Sequence, residues 1–290
     1  QDDGPFLVDS TMGDLAEAGV SVRAMFHPLL DCGRDDKGAR VAGSGQRESM
    51  ILVIIDPMTH ERRESVRASL AETLADVRLA VQDHAAMAGL MAEAITRLEA
   101  GAPGVSPDIR QESLEFLRWL QADHFVFLGA RDADYPRDAG GGYATNEPLR
   151  QRIDGPGVLR HPDRPILRQA HETASLSDAL QRRAERGEPV VVAKANLRSR
   201  VHRRVHMDYV SILRYGEDGR PSGETRFVGL FTSEAYDKAA FDVPLVRAKV
   251  RQVLARGGKA EGTHNHKRLK NILEAFPRDE LFQVGEDELL

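Results

Sequence analysis

The stretch NLRSRVHRRVH, residues 196–206, concentrates side chains that could bind anions or metals. Guanidinium groups pair bidentately with carboxylates and phosphates, so such a cluster could hold a small anion or dock on acidic protein. Three interpretations compete at this point: a nucleic-acid arm, a metal site, or one loop of a larger structure. The last nine residues of the stretch contain four arginines and two histidines: Arg198, Arg200, Arg203, Arg204, His202 and His206.

The histidines do not have the spacing of a metal site. His202 and His206 are four residues apart, which would bring them together on a helix but not on a loop followed by a strand. The neighbouring arginines would also repel a cation. The sequence HNH at 264–266 supplies two imidazoles without a third ligand, which is too few for zinc, and His264 is expected to cap or solvate a helix. We therefore predict no metal site.

Composition limits the classes of protein to consider. Hydrophobic residues make up 41% and charged residues 29%, which is an ordinary globular mixture. The formal net charge of −5 argues against a nucleic-acid-binding domain, although a local basic patch remains open. Cys32 is the only cysteine, so an internal disulfide and a cysteine-based zinc site are excluded. The sequence shows neither a signal peptide nor an apolar run near the ~18 residues of a membrane span, and we predict a cytoplasmic protein.

Motifs for catalysis or cofactor binding are absent from the sequence. There is no G-x-G-x-x-G between a strand and a helix, and GSGQRE at 43–48 lacks the third glycine. A P-loop, a G-x-S-x-G elbow and an H-E-x-x-H motif are also missing, and GGGY at 140–143 is typical of a flexible tip. We predict no catalytic and no cofactor-binding residues.

The first part of the chain has the pattern of a ferredoxin-like unit that lacks its first strand, which we expect upstream of residue 1. Its predicted order is helix, strand, hairpin, strand, long helix. The segments are a helix behind Pro5, a strand at 20–30, a polar turn-rich stretch at 33–48, a strand at 49–56 and an amphipathic helix at about 61–84.

The second part has the pattern of an antiparallel sheet with flanking helices, similar to a PAS- or GAF-like sensor sheet. Three sequential strands, with a turn at Asp218-Gly219, predict a meander. Alternation at Val205, Met207, Tyr209, Leu213 and Tyr215 predicts one buried face. The predicted segments are a helix after a linker at 101–108, strands at 124–135, 189–196, 205–215 and 224–236, and helices near 175–186, 243–256 and 267–276.

Several long segments closely resemble the N-terminal regulatory region of large bacterial NAD-specific glutamate dehydrogenases. DDGPFLVDS at 2–10 is similar to the start of the first ACT-like domain of that region. The other segments are SLEFLRWLQADHFVFLGARDADY at 113–135, AKANLRSRVHRRVHMDYVSILRY at 193–215, GETRFVGLFTSEAY at 223–236 and NILEAFPRDELFQVGEDELL at 271–290.

The resemblance implies an α+β fold in three parts. These are an ACT-like domain at 1–103 without its first strand, a PAS-like domain at 104–240 and a C-terminal helical extension at 241–290. It further implies a non-catalytic regulatory and assembly fragment of an enzyme that converts L-glutamate to 2-oxoglutarate and ammonia with NAD. The fragment itself would bind no cofactor. The alternative is a stand-alone small-molecule sensor or protein-interaction module with no attached enzyme.

The same resemblance suggests partners and two candidate sites. The expected partners are the rest of the parent chain, other subunits of a homo-oligomer and a small-molecule effector, but not nucleic acid or a membrane. The apolar stretch Ile51–Ile55 would need covering by such partners. A first candidate site is the arginine cluster, which would dock on acidic protein or a small anion. A second is the N-terminus of the first helix, at Asp3, Pro5 and Phe6, where a helix end favours anionic groups but Phe6 replaces the glycine usual in amino-acid-binding ACT domains.

Overall fold

The computed structural model describes residues 2–137, 140–141, 143, 150–152, 155–160, 187–256, 263–284 and 289. By contacts the chain forms two compact units. The first comprises Gln1–Asp83 and Arg198–Val205, and the second comprises His84–Leu197 and His206–Leu290. The predicted domain ranges 1–103, 104–240 and 241–290 remain predictions, because a division by contacts does not delimit domains of a family.

The first unit contains two helices and two antiparallel strand pairs. β1 pairs with β4, and β2 pairs with β3. Thr59 caps the long second helix, because its side chain accepts a hydrogen bond from the backbone N–H of Arg62. In chain order the elements are α1 (Leu7–Glu17), β1 (Val22–Phe26), β2 (Leu29–Arg34), β3 (Arg40–Ser49), β4 (Leu52–Ile55) and α2 (His60–Gln82).

The polar, turn-rich stretch at 33–48, where the sequence predicted a hairpin, lies largely in the β2–β3 hairpin. Its turn is closed by Asp35, whose carboxylate accepts hydrogen bonds from the backbone N–H groups of Lys37 (2.9 Å) and Ala39 (2.8 Å). Gly38 supplies the left-handed conformation of the turn at φ +78°. An exposed hairpin needs turn residues but few apolar ones, so turn residues and not apolar alternation are the signal that predicts it.

The second unit is built on one five-stranded sheet with the strand order β6-β5-β9-β8-β7. The strands are β5 (Phe125–Asp134), β6 (Arg150–Gln151), β7 (Val190–Arg198), β8 (His206–Tyr215) and β9 (Pro221–Phe231). The helices are α3 (His84–Ala100), α4 (Pro107–Trp119), α5 (Ser233–Asp237), α6 (Val246–Arg256), α7 (His264–Ala275) and α8 (Arg278–Gln283). The predicted helix near 175–186 lies outside the described residues.

The predicted turn at Asp218-Gly219 joins β8 to β9. The N–H of Gly216 donates to the carbonyl of Arg220 (2.8 Å), and Gly219 has the positive φ of +74° that such a turn requires. The two strands pair in antiparallel orientation, as expected for the predicted meander. However, β8 is buried on both faces from Met207 to Leu213, not on one face only. A central strand that is covered on both sides is buried at consecutive positions. A prediction from alternating apolar residues therefore identifies only half of its buried residues.

The main core of the second unit lies between this sheet and helices α3 and α4. It is rich in aromatic rings, and several large side chains in it are fully buried, among them Phe116, Leu117, Leu120 and Phe227. A smaller cluster, with Val246, Val250, Val253 and Leu273, holds α6 and α7 together. The molecule is thus a mixed α/β structure with antiparallel sheets, as predicted. Within the described residues, no helix is both long and apolar enough to cross a membrane.

Candidate functional site

Residues Arg198–Val205, which we call the arginine loop, connect β7 to β8 and form part of the first unit. The loop is closed by its own hydrogen bonds. Ser199 donates from Oγ to the carbonyl of Val201 (2.7 Å), and its backbone N–H donates to the carbonyl of Val205 (2.8 Å). Ser199 and Val201 are fully buried, and His202 takes the left-handed conformation at φ +64°. The loop is therefore a defined structure and not a solvated arm.

Arg204 is the buried anchor of this loop. Its guanidinium forms an ion pair with Asp14 of α1, and the two side chains are only 15% and 2% exposed. It also donates to Oγ1 of Thr73 on α2 (2.8 Å). The same oxygen of Asp14 accepts hydrogen bonds from Ser69 (2.8 Å) and Thr73 (3.0 Å). Gly13 lets the arginine approach, because a Cβ there would stand 3.3 Å from Cγ of Arg204.

Two further arginines of the loop pair with carboxylates at the surface of the first unit. Arg198 donates to Glu17 (2.7 Å) and to the carbonyl of Arg204 (2.8 Å). Arg200 pairs with Glu72, and that hydrogen bond raises the pKa of the Arg200 guanidinium. The fourth predicted residue, Arg203, also makes contacts. The cluster therefore has carboxylate partners within its own chain, while docking on a separate acidic partner or anion remains a prediction.

The second candidate site, at the N-terminus of α1, lies next to the same loop. Phe6 occupies the N-cap position with φ +68° and makes no side-chain capping hydrogen bond. Its ring contacts that of His202 at a centroid distance of 5.3 Å. The ring Nδ1 of His202 lies 3.0 Å from Asp9, and its backbone N–H donates to Oγ of Ser10 (2.9 Å). His202 thus contacts the side chains of Asp9 and Ser10, which are polar residues of the first turn of α1.

The other two residues of this candidate site precede Phe6 in the chain and are not part of α1. Asp3 is held by β3, because its N–H donates to the carbonyl of Arg47 (3.0 Å) and its carboxylate accepts a hydrogen bond from Ser49. Pro5 is exposed. From the sequence, the arginine cluster and the N-terminus of α1 were predicted to be separate sites. In the structure they are adjacent, because the ring of Phe6 contacts that of His202 in the arginine loop. Whether Asp3, Pro5 and Phe6 contact an effector remains a prediction.

The histidines near the loop do not converge. His206 lies in β8, with Nδ1 3.3 Å from the carbonyl of Ala195. At the other predicted histidine pair, Thr263 caps α7 by accepting a hydrogen bond from the backbone N–H of His266. In the ranges that the structure describes, no group of three His, Cys, Asp or Glu side chains is placed to hold a metal ion.

A charged cluster in the second unit was not found by sequence reasoning. Its centre is Asp132 of β5, whose side chain is 6% exposed. The carboxylate accepts hydrogen bonds from Arg214 (2.8 Å), Arg152 (3.0 Å) and Thr225 (2.8 Å). Arg97 of α3 donates to the same threonine hydroxyl (2.9 Å). The signal was present in the sequence RDAD at 131–134, where three charged residues follow the apolar first half of β5.

The electrostatics of this cluster are those of a structural network. Burial lowers the pKa of Arg97; the charge of Asp132 opposes this shift, and the charge of Arg214 adds to it. A second buried pair, Arg226 with Glu224, lies on β9. Burial acts to lower the pKa of that arginine, but the charge of Glu224 opposes it and the pKa is raised above its ordinary value. Paired guanidinium and carboxylate groups satisfy one another and do not provide a nucleophile with a base. The geometry supports stability of the sheet and not a reaction.

Comparisons with known proteins relate both ends of the chain to one enzyme class. Residues 1–70 match a family model described as the ACT1 domain of glutamate dehydrogenase. Residues 243–290 match a model described as helical motif 1 of glutamate dehydrogenase.

Similar proteins match nearly the whole chain. An NAD-specific glutamate dehydrogenase of Halomonas elongata is 37% identical over 303 residues, which is 99% of this chain and 18% of that protein. Proteins with the same description from Pseudomonas aeruginosa and Mycobacterium tuberculosis are 33% and 26% identical, each also over 99% of this chain. The chain spans 18%, 18% and 17% of the lengths of these three relatives, respectively.

Proposed function

We propose that the chain is a regulatory and assembly region of a large NAD-specific glutamate dehydrogenase, because two family models of glutamate dehydrogenase match its two ends and a relative with that description is 37% identical over 99% of this chain. The parent enzyme would oxidise L-glutamate to 2-oxoglutarate and ammonia while reducing NAD. Its catalytic residues and NAD site would lie in the part of the enzyme that this chain does not span. The length comparison supports this division, since the chain corresponds to less than a fifth of its relatives.

The observation that carries the proposal is the ion pair between Arg204 and Asp14. It fixes the arginine loop to α1, and the loop is covalently continuous with β7 and β8. A shift of α1 would therefore act on the ends of both strands through the chain. Coupling between sites requires a connected element of this kind whose arrangement can change.

An effector at the first turn of α1 would have a defined route of action within this proposal. Its anionic group would compete with Asp9 for His202 and with the ring of His202 for the space beside Phe6. Displacement of His202 would loosen the arginine loop next to Arg204. The candidate residues Asp3, Pro5 and Phe6, the PAS-like assignment of the five-stranded sheet, the oligomeric state and a cytoplasmic location all belong to this proposal.

The proposal can be tested in two steps. The purified chain, mixed with glutamate and NAD, should form no NADH. In a longer enzyme that contains this segment, Arg204→Ala should change the rate or glutamate dependence of NADH formation. Arg198→Ala, at an exposed position of the same loop, should leave both unchanged. Steady NADH formation by the chain alone, abolished by a point substitution within it, would contradict the proposal, as would equal effects of the two loop substitutions.

A second candidate function is a stand-alone sensor or protein-interaction module with no attached enzyme. The absence of nucleotide-binding motifs from the sequence agrees equally with this reading. The gene decides between the two candidates, because a reading frame that continues into a dinucleotide-binding motif supports the enzyme and one without such a motif supports the module.

A further inference from the structure

The surface of the first unit that the arginine loop covers is polar. The buried faces of α1 and α2 include Ser10, Asp14, Thr73 and Asp76, none of which is more than 4% exposed. We call these four residues the polar groove. Helices usually bury apolar side chains at such positions, because a buried polar group is costly without a hydrogen-bonding partner. The groove therefore needs polar partners, and the loop supplies them.

The contacts that hold the loop in the polar groove are mostly charged or polar. Arg204 pairs with Asp14 and donates to Thr73 (2.8 Å). The backbone N–H of His202 donates to Oγ of Ser10 (2.9 Å), and two more arginines of the loop pair with exposed carboxylates at its edge. Salt screens charge pairs, whereas it does not weaken the burial of apolar groups. The loop is thus attached mainly by contacts that salt weakens.

The loop and the two helices each have structure that does not depend on this attachment. Ser199 donates to the carbonyls of Val201 and Val205, and its Oγ accepts a hydrogen bond from the N–H of Val201 (3.0 Å). These bonds lie within the loop, so they survive its departure from the groove. The helices α1 and α2 pack on each other and bury apolar residues of their own, among them Leu15 and Val77.

The attached loop also contains unfavourable features that its departure would relieve. Phe6 and His202, whose rings are in contact, both have a left-handed backbone, with φ at +68° and +64°. This conformation is unfavourable for residues other than glycine. Among the described residues, neither Oδ2 of Asp14 nor Nε of Arg204 has a hydrogen-bond partner, although both atoms are buried. A buried ion pair offsets its loss of hydration only when such atoms are satisfied.

We propose that the arginine loop is a salt-sensitive strap, which leaves the polar groove as a unit while α1 and α2 stay folded. At low ionic strength the attraction between guanidinium and carboxylate groups keeps the strap closed. Ions that screen this attraction favour the open state, in which water hydrates the exposed polar groups of the groove. Such an opening is local and precedes unfolding of the whole chain. The inference concerns the chain alone and does not depend on the proposed function.

The first test compares two valines that are both 0% exposed, Val201 in the loop and Val253 in the apolar cluster of α6 and α7. In a Cys32→Ser background, each valine is changed to cysteine, and the rate of labelling by a maleimide is measured. The NaCl concentration is raised from about 0.1 M to about 1 M, which shortens the Debye length from about 10 Å to about 3 Å. Circular dichroism establishes that both variants are folded.

Labelling of the Val201→Cys variant should accelerate at least about tenfold at the higher salt concentration, because screening weakens several charge pairs at once. Labelling of the Val253→Cys variant should not accelerate, since apolar contacts bury that position. Adding Asp14→Asn to Val201→Cys should give fast labelling at the lower salt concentration already, with little further effect of salt. Equal acceleration at both valine positions overturns the proposal, as does labelling of Val201→Cys that is independent of salt.

A second measurement needs no substitution and applies if a cysteine variant does not fold. The backbone N–H of His202 is bonded to Ser10 only while the loop lies in the groove. Its hydrogen exchange should therefore be at least about tenfold faster in about 1 M than in about 0.1 M NaCl. The control is the N–H of Lys249, which donates to the carbonyl of Leu245 (3.1 Å) and should show no such change. Exchange at His202 that does not respond to salt overturns the proposal.

Discussion

Arg214 on β8 and Asp132 on β5 form an ion pair of 2.8 Å across the strand that separates them, β9. The arginine passes over Gly223 of β9, which is in register with Arg214 on one side and with Asp134 on the other. A Cβ at Gly223 would collide with the guanidinium and with the backbone carbonyl oxygen of Ala133. The missing side chain at Gly223 is therefore what allows a charge contact between two strands that are not neighbours.

Gly223→Ala should destabilise the second unit by about 1–3 kcal/mol, the usual cost of overpacking a filled site. The carbonyl of Ala133 belongs to the backbone and cannot rotate away from the new methyl group. The strand must therefore shift locally, and the side chain of Arg214 must move off Gly223 and lose its contact with Asp132. Urea unfolding of the chain measures the change. The matched control is Gly89→Ala in α3, where a Cβ would meet nothing within 4 Å. There we expect stabilisation of about 0.5–1 kcal/mol from the lost flexibility of glycine. Equal effects of the two substitutions would contradict the proposed crossing.

Asp132→Ala should cost about 3 kcal/mol, because breaking a buried ion pair leaves uncompensated charge. Arg214, which is 12% exposed, would keep its contacts with Asp134 and with the backbone carbonyl of Ala133. The comparison variant is Glu64→Ala, which removes the exposed pair with Arg67 on α2 and should change stability by less than about 0.5 kcal/mol. A loss of stability for Asp132→Ala no larger than for Glu64→Ala would show that the cluster is not important for folding.

Arg204→Ala and Arg198→Ala should differ although both remove an arginine from the same loop. Arg204 is 15% exposed and pairs with buried Asp14, whereas Arg198 is 54% exposed and pairs with exposed Glu17. We expect losses of about 3 kcal/mol for Arg204 and less than about 1 kcal/mol for Arg198. A double-mutant cycle with Asp14→Ala should show that the Arg204 and Asp14 effects are strongly non-additive. Additive effects would mean that the ion pair does not form in solution.

Glu115 on α4 should titrate at lower pH than an ordinary glutamate. The hydrogen bond from Gln111 (2.9 Å), followed by that from Arg247, lowers the pKa of its carboxyl group. A lowered folded-state pKa means that the ionised form stabilises the fold at neutral pH. This contribution is lost as the pH falls through the folded-state pKa. Gln111→Ala should raise the pKa of Glu115, measured by carboxyl ¹³C NMR titration, and Gln121→Ala should not. An unchanged titration in the Gln111 variant would refute this assignment.

Most regular elements could be predicted from the sequence because their signals are local. The stripe from Val66 to Val81 predicted a helix at about 61–84, and α2 runs from His60 to Gln82. Strand β5 begins within one residue of the predicted position. The hairpin predicted in the polar stretch at 33–48 corresponds to β2–β3, and turn residues carried that signal because its strands are mostly polar. The domain boundaries and the roles of the candidate sites stay predictions.

The sequence by itself determined the mixed α/β class and the position of the arginine loop, because these depend on local pattern, and its long matching segments indicated the resemblance to large NAD-specific glutamate dehydrogenases. Only the tertiary structure decided which carboxylates the arginines meet. Arg204 and Asp14 are 190 positions apart, and their contact forms only when α1, α2 and the loop come together. Likewise, Asp132 and Arg214 meet because β9 carries a glycine between them. Such long-range contacts result from closure of the whole fold, and no local periodicity encodes them.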